Sequence, residues 1–88
     1  MLKPVYLRSF ERELEKTKKR GFDMCKIKTV MNDLINEKPL AKKHRNHRLK
    51  GNFVGYWECH VTPDWLLIYK TDDTSIYFVR TGTHSDLF

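Results

Sequence analysis

Three apolar, β-prone runs crowd the second half of this chain and limit its fold more than any other feature: Phe53 to Val61, Trp65 to Lys70 and Ile76 to Thr81. Only Thr62-Pro63-Asp64 and Thr71-Asp72-Asp73-Thr74 separate them. Connections that short cannot hold a crossover, so the runs must pair as an antiparallel meander.

The first half reads as helical. Met24, Ile27, Val30, Met31, Leu34 and Ile35 recur every three or four residues, which puts them on one helical face, and Asp23 stands where an N-cap is wanted. A stripe of Met and aliphatic residues at this spacing belongs to a core. Upstream, Phe10 to Arg20 is polar with Phe10 and Leu14 one turn apart; Ser9 is placed to cap this helix and Gly21 to end it. Residues 2 to 7 form a short strand that Pro4 confines to an edge or a strand start. The order of strand, two-helix hairpin and three-strand meander predicts an α+β fold in which both helices cover one face of a small sheet and the other face is free for a ligand. With 88 residues and no internal linker or repeat, residues 1–88 are expected to form a single domain.

Charge narrows the partners. Seventeen Lys and Arg against eleven Asp and Glu give a net charge of +6, which favours polyanions. The excess is concentrated between Lys38 and Lys50, which holds Lys42, Lys43, Arg45, Arg48, His44 and His47 without one acid. The longest apolar run, Trp65 to Tyr69, is far short of the roughly 20 residues that span a bilayer, so a cytoplasmic protein without membrane contact is expected. Cys25 and Cys59 lack a close cysteine partner and read as two buried thiols rather than a disulfide.

Among residues that could carry chemistry, the four histidines 44, 47, 60 and 84 stand out, because imidazole exchanges protons near neutrality. Cys59 and His60 fall on opposite faces of one strand, and neither HxxH, HExxH nor a paired CxxC sets metal ligands in register, so no metal or other cofactor is expected. No GxSxG elbow, P-loop or dinucleotide fingerprint occurs. RNA cleavage fits better, since it needs a base for the 2′-hydroxyl, an acid for the departing 5′-oxygen and cations for the charged phosphorane. The meander could gather His60, Asp64, Trp65, His84 and His47 at one end of the sheet.

The stretches His47-Arg48-Leu49-Lys50-Gly51, Glu58 to Tyr69 and Arg80 to Phe88, taken in order and spacing, resemble the YafQ branch of the RelE/ParE toxin superfamily. That resemblance implies a bacterial type II toxin, a ribosome-dependent mRNA endoribonuclease that works in the A site without metal, and a hetero-oligomer with a DinJ-type antitoxin. It implies catalytic roles for His47, His60, Asp64 and His84 and roles in activity for Trp65 and Phe88. Our reading of roles makes His84 the general acid, His60 or His47 the base, and Asp64 the group that orients an imidazole. Arg48, Lys50 and Arg80 are candidates for phosphate contact, and Phe88 for stacking on a nucleotide. Two departures stand out: family members usually have Pro after the first histidine and Arg before the acidic residue of the next segment, where this chain has Arg48 and Trp57. Arg48 could supply the cation that Trp57 replaces. The same superfamily also includes toxins that bind DNA gyrase without cutting anything, so a non-enzymatic binder is the alternative.

Overall fold

The computed structural model describes all 88 residues. Strand β1 (Lys3–Tyr6) leads into helices α1 (Arg8–Lys19) and α2 (Met24–Ile35), and strands β2 (His47–Arg48), β3 (Trp57–Thr62), β4 (Trp65–Thr71) and β5 (Ser75–Gly82) precede a short helix, α3 (His84–Leu87). One five-stranded sheet runs in the order β1-β5-β4-β3-β2. The meander β3-β4-β5 is antiparallel as expected, and β1 joins its far edge in parallel with β5. Pro4 therefore sits on an edge strand, where a missing N–H costs no ladder bond on the open side.

The helix hairpin follows its local chemistry. Asp23 caps α2 by accepting the Cys25 N–H at 2.9 Å. α1 ends on Gly21 in the left-handed region (φ 87°), with the Gly21 N–H donating to Lys18 O and the Phe22 N–H to Thr17 O, the paired bonds that satisfy a helix C-terminus. The expected cap at the other end is absent. α1 begins two residues earlier, after Leu7, and Ser9 lies inside it, its hydroxyl donating to Val79 O at 2.7 Å to tie the helix to β5.

Both helices pack on one sheet face. Phe10 from α1 and Ile27, Val30, Met31 and Leu34 from α2 meet Cys59, Val61, Trp65, Leu67, Tyr69, Ile76 and Phe78 in the main core. The opposite face is not left bare, contrary to expectation. Leu66 and Ile68 point that way and are fully buried under Leu87 of α3, with Leu49, Tyr56 and Val79 around them.

Three further details differ from the sequence reading. Gly51–Phe53 forms a 3-10 turn and Gly55 has φ 94°, so β3 starts at Trp57 rather than Phe53. The basic segment is not a plain loop: Lys42–His44 makes a 3-10 turn and His47–Arg48 adds a fifth strand against β3. Cys25 lies on the outer side of α2 and is exposed, whereas Cys59 is buried; both are free thiols.

Candidate active site

Alternation along β3 sorts its side chains into two populations. Cys59 and Val61 face the helices, while Glu58 and His60 face away from them, each nearly buried at 5% and 6% exposure. Register then adds a neighbour: His47 of β2 lies opposite Glu58 and so shares its face. Glu58 Oε1 stands 3.6 Å from His47 Nε2 and 3.5 Å from His60 Nε2. A single carboxylate oxygen is thus shared between two imidazoles.

The third imidazole arrives from α3. After β5 the chain turns at Gly82, where a side chain would run into Asp86 at 3.0 Å, and Thr83 with Asp86 forms a reciprocal capping box. Arg20 of α1 holds the same Asp86 at 2.8 Å. The Thr83 N–H, chiefly, and Arg20 lower the Asp86 carboxyl to about 2. The turn is fixed at both ends, and His84 projects from its first residue. Asp64, at the tip of the β3–β4 turn, accepts both the His84 backbone N–H at 3.3 Å and its ring Nδ1 at 3.1 Å. The hydrogen bond from the His84 ring is the main reason that the Asp64 carboxyl lies below its ordinary value.

The three rings form a row, with centroids 6.3 Å apart for His47 and His60 and 5.9 Å apart for His60 and His84. Their Nδ1 atoms share one treatment. His47 Nδ1 meets Arg45 O at 2.6 Å, and His60 Nδ1 meets Pro63 O at 3.2 Å. A carbonyl oxygen can only accept, so both Nδ1 atoms carry a proton, and the ionised Asp64 imposes the same tautomer on His84. Every ring in the row therefore keeps Nε2 for other work. His44 is held in the same way, by His60 O at 2.7 Å, and pins the basic segment to β3 rather than joining the row.

Of the residues singled out in the sequence, His47, His60, Asp64 and His84 come together. Phe88 lies close by on α3's end, 60% exposed, its ring edge-on to Phe53 at 5.6 Å. Lys50 is exposed beside that aromatic pair's turn and forms no ion pair. Three others have partners of their own within the fold. Trp65 is 2% exposed on the helix side, donates its indole N–H to Thr81 Oγ1 at 3.0 Å and meets Phe22 edge-on, so it has no face to offer a nucleotide. Arg48 alternates with His47 and stacks over Trp57 at 5.1 Å on the helix side, away from the row, so it does not replace a cation there. Arg80 forks onto Glu13 of α1, with its shortest contact at 2.6 Å, and much of its charge is already answered. Glu58 is the residue that sequence reasoning missed. The signal was there: two residues before His60 on a strand puts it on the same face.

Comparison with known proteins agrees with this arrangement. A family model described as "Bacterial toxin of type II toxin-antitoxin system, YafQ" matches residues 2–88. The chain belongs to the YafQ toxin family. It is 43% identical over 84 residues to the mRNA interferase toxin YafQ of Escherichia coli K12, which covers 94% of this chain and 91% of that protein. The crystal structure of YafQ from E. coli BL21(DE3) superposes with a TM-score of 0.95 at 39% identity, over 100% of this chain and 99% of that one. The YafQ chain of the E. coli DinJ-YafQ toxin-antitoxin complex gives 0.92 at 41% identity, over 99% and 97%. The α+β architecture of helix hairpin and sheet is thus that of the YafQ structures.

Proposed function

We propose that this chain is an mRNA interferase, a type II toxin that cuts RNA with its own side chains, and that residues 1–88 act as one domain. The observation that carries the reading is the row of three imidazoles with each Nδ1 anchored and the Nε2 atoms of His47 and His60 facing one carboxylate. Such a row meets what cleavage by the neighbouring 2′-hydroxyl requires, without any other group.

In this mechanism His60 takes the 2′-hydroxyl proton on Nε2, and the adjacent Glu58 stabilises the imidazolium that results. The 2′-oxygen attacks phosphorus and the bond to the 5′-oxygen breaks. His84 enters the step as an imidazolium, protonated on both nitrogens, and delivers its Nε2 proton to that oxygen, while Asp64 holds the ring through Nδ1 and offsets its charge, much as a carboxylate does in a hydrolase triad. The products are a 2′,3′-cyclic phosphate and a free 5′-hydroxyl. His47, on the other side of Glu58, offers an Nε2–H to a non-bridging phosphate oxygen when its ring is doubly protonated, and Lys50 adds positive charge at the edge. Phe88 provides an exposed ring for a base.

The working site is translated mRNA in the ribosomal A site, in the cytoplasm. Silencing is by a DinJ-type antitoxin in a hetero-oligomer; the E. coli relative's complex with DinJ supports that partner. No helix is long and apolar enough to cross a membrane.

The test is primer extension on mRNA in reconstituted translating ribosomes, with a ribosome-free control. Codon-phased cuts by the wild type that slow about 10²- to 10⁴-fold in His84→Ala are expected. Growth inhibition that survives His84→Ala but is abolished by charge reversal between Lys42 and Lys50 would instead establish a toxin that only binds.

A further inference from the structure

The sheet face that carries the histidine row continues beyond it, and its next residues belong to no part of the mechanism above. Phe88 meets Phe53 edge-on at 5.6 Å, and Phe53 meets Tyr56 edge-on at 6.5 Å. Lys70 follows, its ammonium 5.5 Å from the Tyr56 ring and 5.4 Å from the Tyr77 ring. Lys70 and Tyr77 are direct cross-strand partners on β4 and β5. A continuous stripe of four aromatic rings and one cation therefore leads from the C-terminal side of α3 across the sheet.

Three features fit this stripe to one kind of occupant. Lys70 forms no ion pair, so its charge is unanswered by any carboxylate. Phe53, Tyr56, Lys70 and Tyr77 are all partly exposed, and Phe88 is mostly so, which leaves ring surface and ammonium within reach of a ligand. The nearest acid, Asp72, marks the end of the stripe: its carboxylate accepts the Thr74 and Ser75 N–H groups at 2.9 and 2.8 Å and the Tyr77 hydroxyl at 2.9 Å. Aromatic faces interleaved with a free cation are how proteins hold a single strand of nucleic acid, bases on rings and phosphate on the cation.

We propose that Phe53, Tyr56, Lys70 and Tyr77 form a binding subsite for the substrate RNA strand, taking the nucleotides that extend from the scissile phosphate past Phe88. Lys70 neutralises a phosphate and the tyrosines stack on bases. The subsite rests on the reading that the histidine row is where RNA is cut, and it adds affinity for strand length rather than chemistry.

The experiment measures binding by fluorescence anisotropy in a His84→Ala background, using a labelled RNA trinucleotide and a labelled unstructured RNA dodecamer across a salt series. The wild-type stripe should favour the dodecamer by at least tenfold. Tyr77→Leu should reduce that preference by roughly 5- to 150-fold or to unity, as loss of one base stack predicts. Lys70→Gln should lower the slope of log affinity against log salt for the dodecamer by about 0.7, one phosphate contact on a single strand. Amide shifts at residues 53, 56, 70 and 77 on adding the dodecamer would support the assignment independently of affinity. A preference for the dodecamer unchanged in both variants, or no preference in the wild type, overturns it. Failure of the cleavage reading looks different, since it would show as intact wild-type chain that binds the dodecamer through the stripe yet cuts no RNA.

Discussion

Cys59 and His60 are neighbours in sequence and strangers in environment. Cys59 points to the helices, where burial raises its thiol to about 12 and leaves it chemically inert. His60 points to the other face, equally shielded but within 3.5 Å of a carboxylate and 5.9 Å of a second imidazole ring. Burial alone therefore does not make a site; what differs is the company each face keeps. One face of the sheet is filled by a hydrocarbon core that demands shape. The other carries, beside its small apolar cluster, polar groups that each hold a specific partner, so burial sharpens their interactions.

Substitutions can break that contrast. The largest effect is expected on the helix side: Trp65→Ala removes a fully buried indole and its hydrogen bond to Thr81, and should cost about 3 to 5 kcal/mol of stability in urea unfolding. If Trp65 touched RNA instead, cleavage would fall with little change in stability. Next comes Glu58→Gln, which keeps the shape of the polar face and removes the charge between His47 and His60. Single-turnover cleavage should slow by about 10²-fold, in the usual range for losing a group that supports acid-base catalysis. Cys59→Ser, one residue away, should leave the cleavage rate of the folded fraction near wild type, and a rate loss equal to that of Glu58→Gln would dissolve the distinction between faces.

The smallest effect tests how the two faces are joined. Thr83→Ala removes the cap of α3 and should cost about 1 kcal/mol, read as faster hydrogen exchange at His84 and Leu87. Acid should act in the same direction through Asp86. Its carboxyl falls from an ordinary 3.8 to about 2 in the fold, so its support is complete above about pH 4 and is lost as pH falls towards 2. Loosening of α3 only above pH 4 would contradict this.

Much of the architecture could be read from the chain because it is set by local chemistry. Asp23, the apolar stripe of α2 and the two short turns of the meander each determine their own element, and the meander in turn carries His60, Asp64 and His84 to one end. The parts that stayed hidden depend on partners. β2 is two residues long, below the length at which alternation can be seen, and exists only because β3 offers it an edge. α3 has four residues, too few for periodicity, although Thr83-His84-Ser85-Asp86 has the spacing of a capping box. Because β2 went unseen, Arg48 could not be assigned to the face opposite His47, and a buried role for Trp65 was indistinguishable from a surface one by residue type alone.

The pairing of β1 with β5 has a consequence for how the protein comes into being. Residues 3–6 lie beside residues 75–78 in the finished sheet, some seventy positions further along the chain. During translation β1 must therefore wait, unpaired, until β5 has left the exit tunnel, a long-range closure that slows folding. His84 emerges later still. A nascent chain that has not yet released β5 and α3 thus has neither a closed sheet nor a complete row of imidazoles.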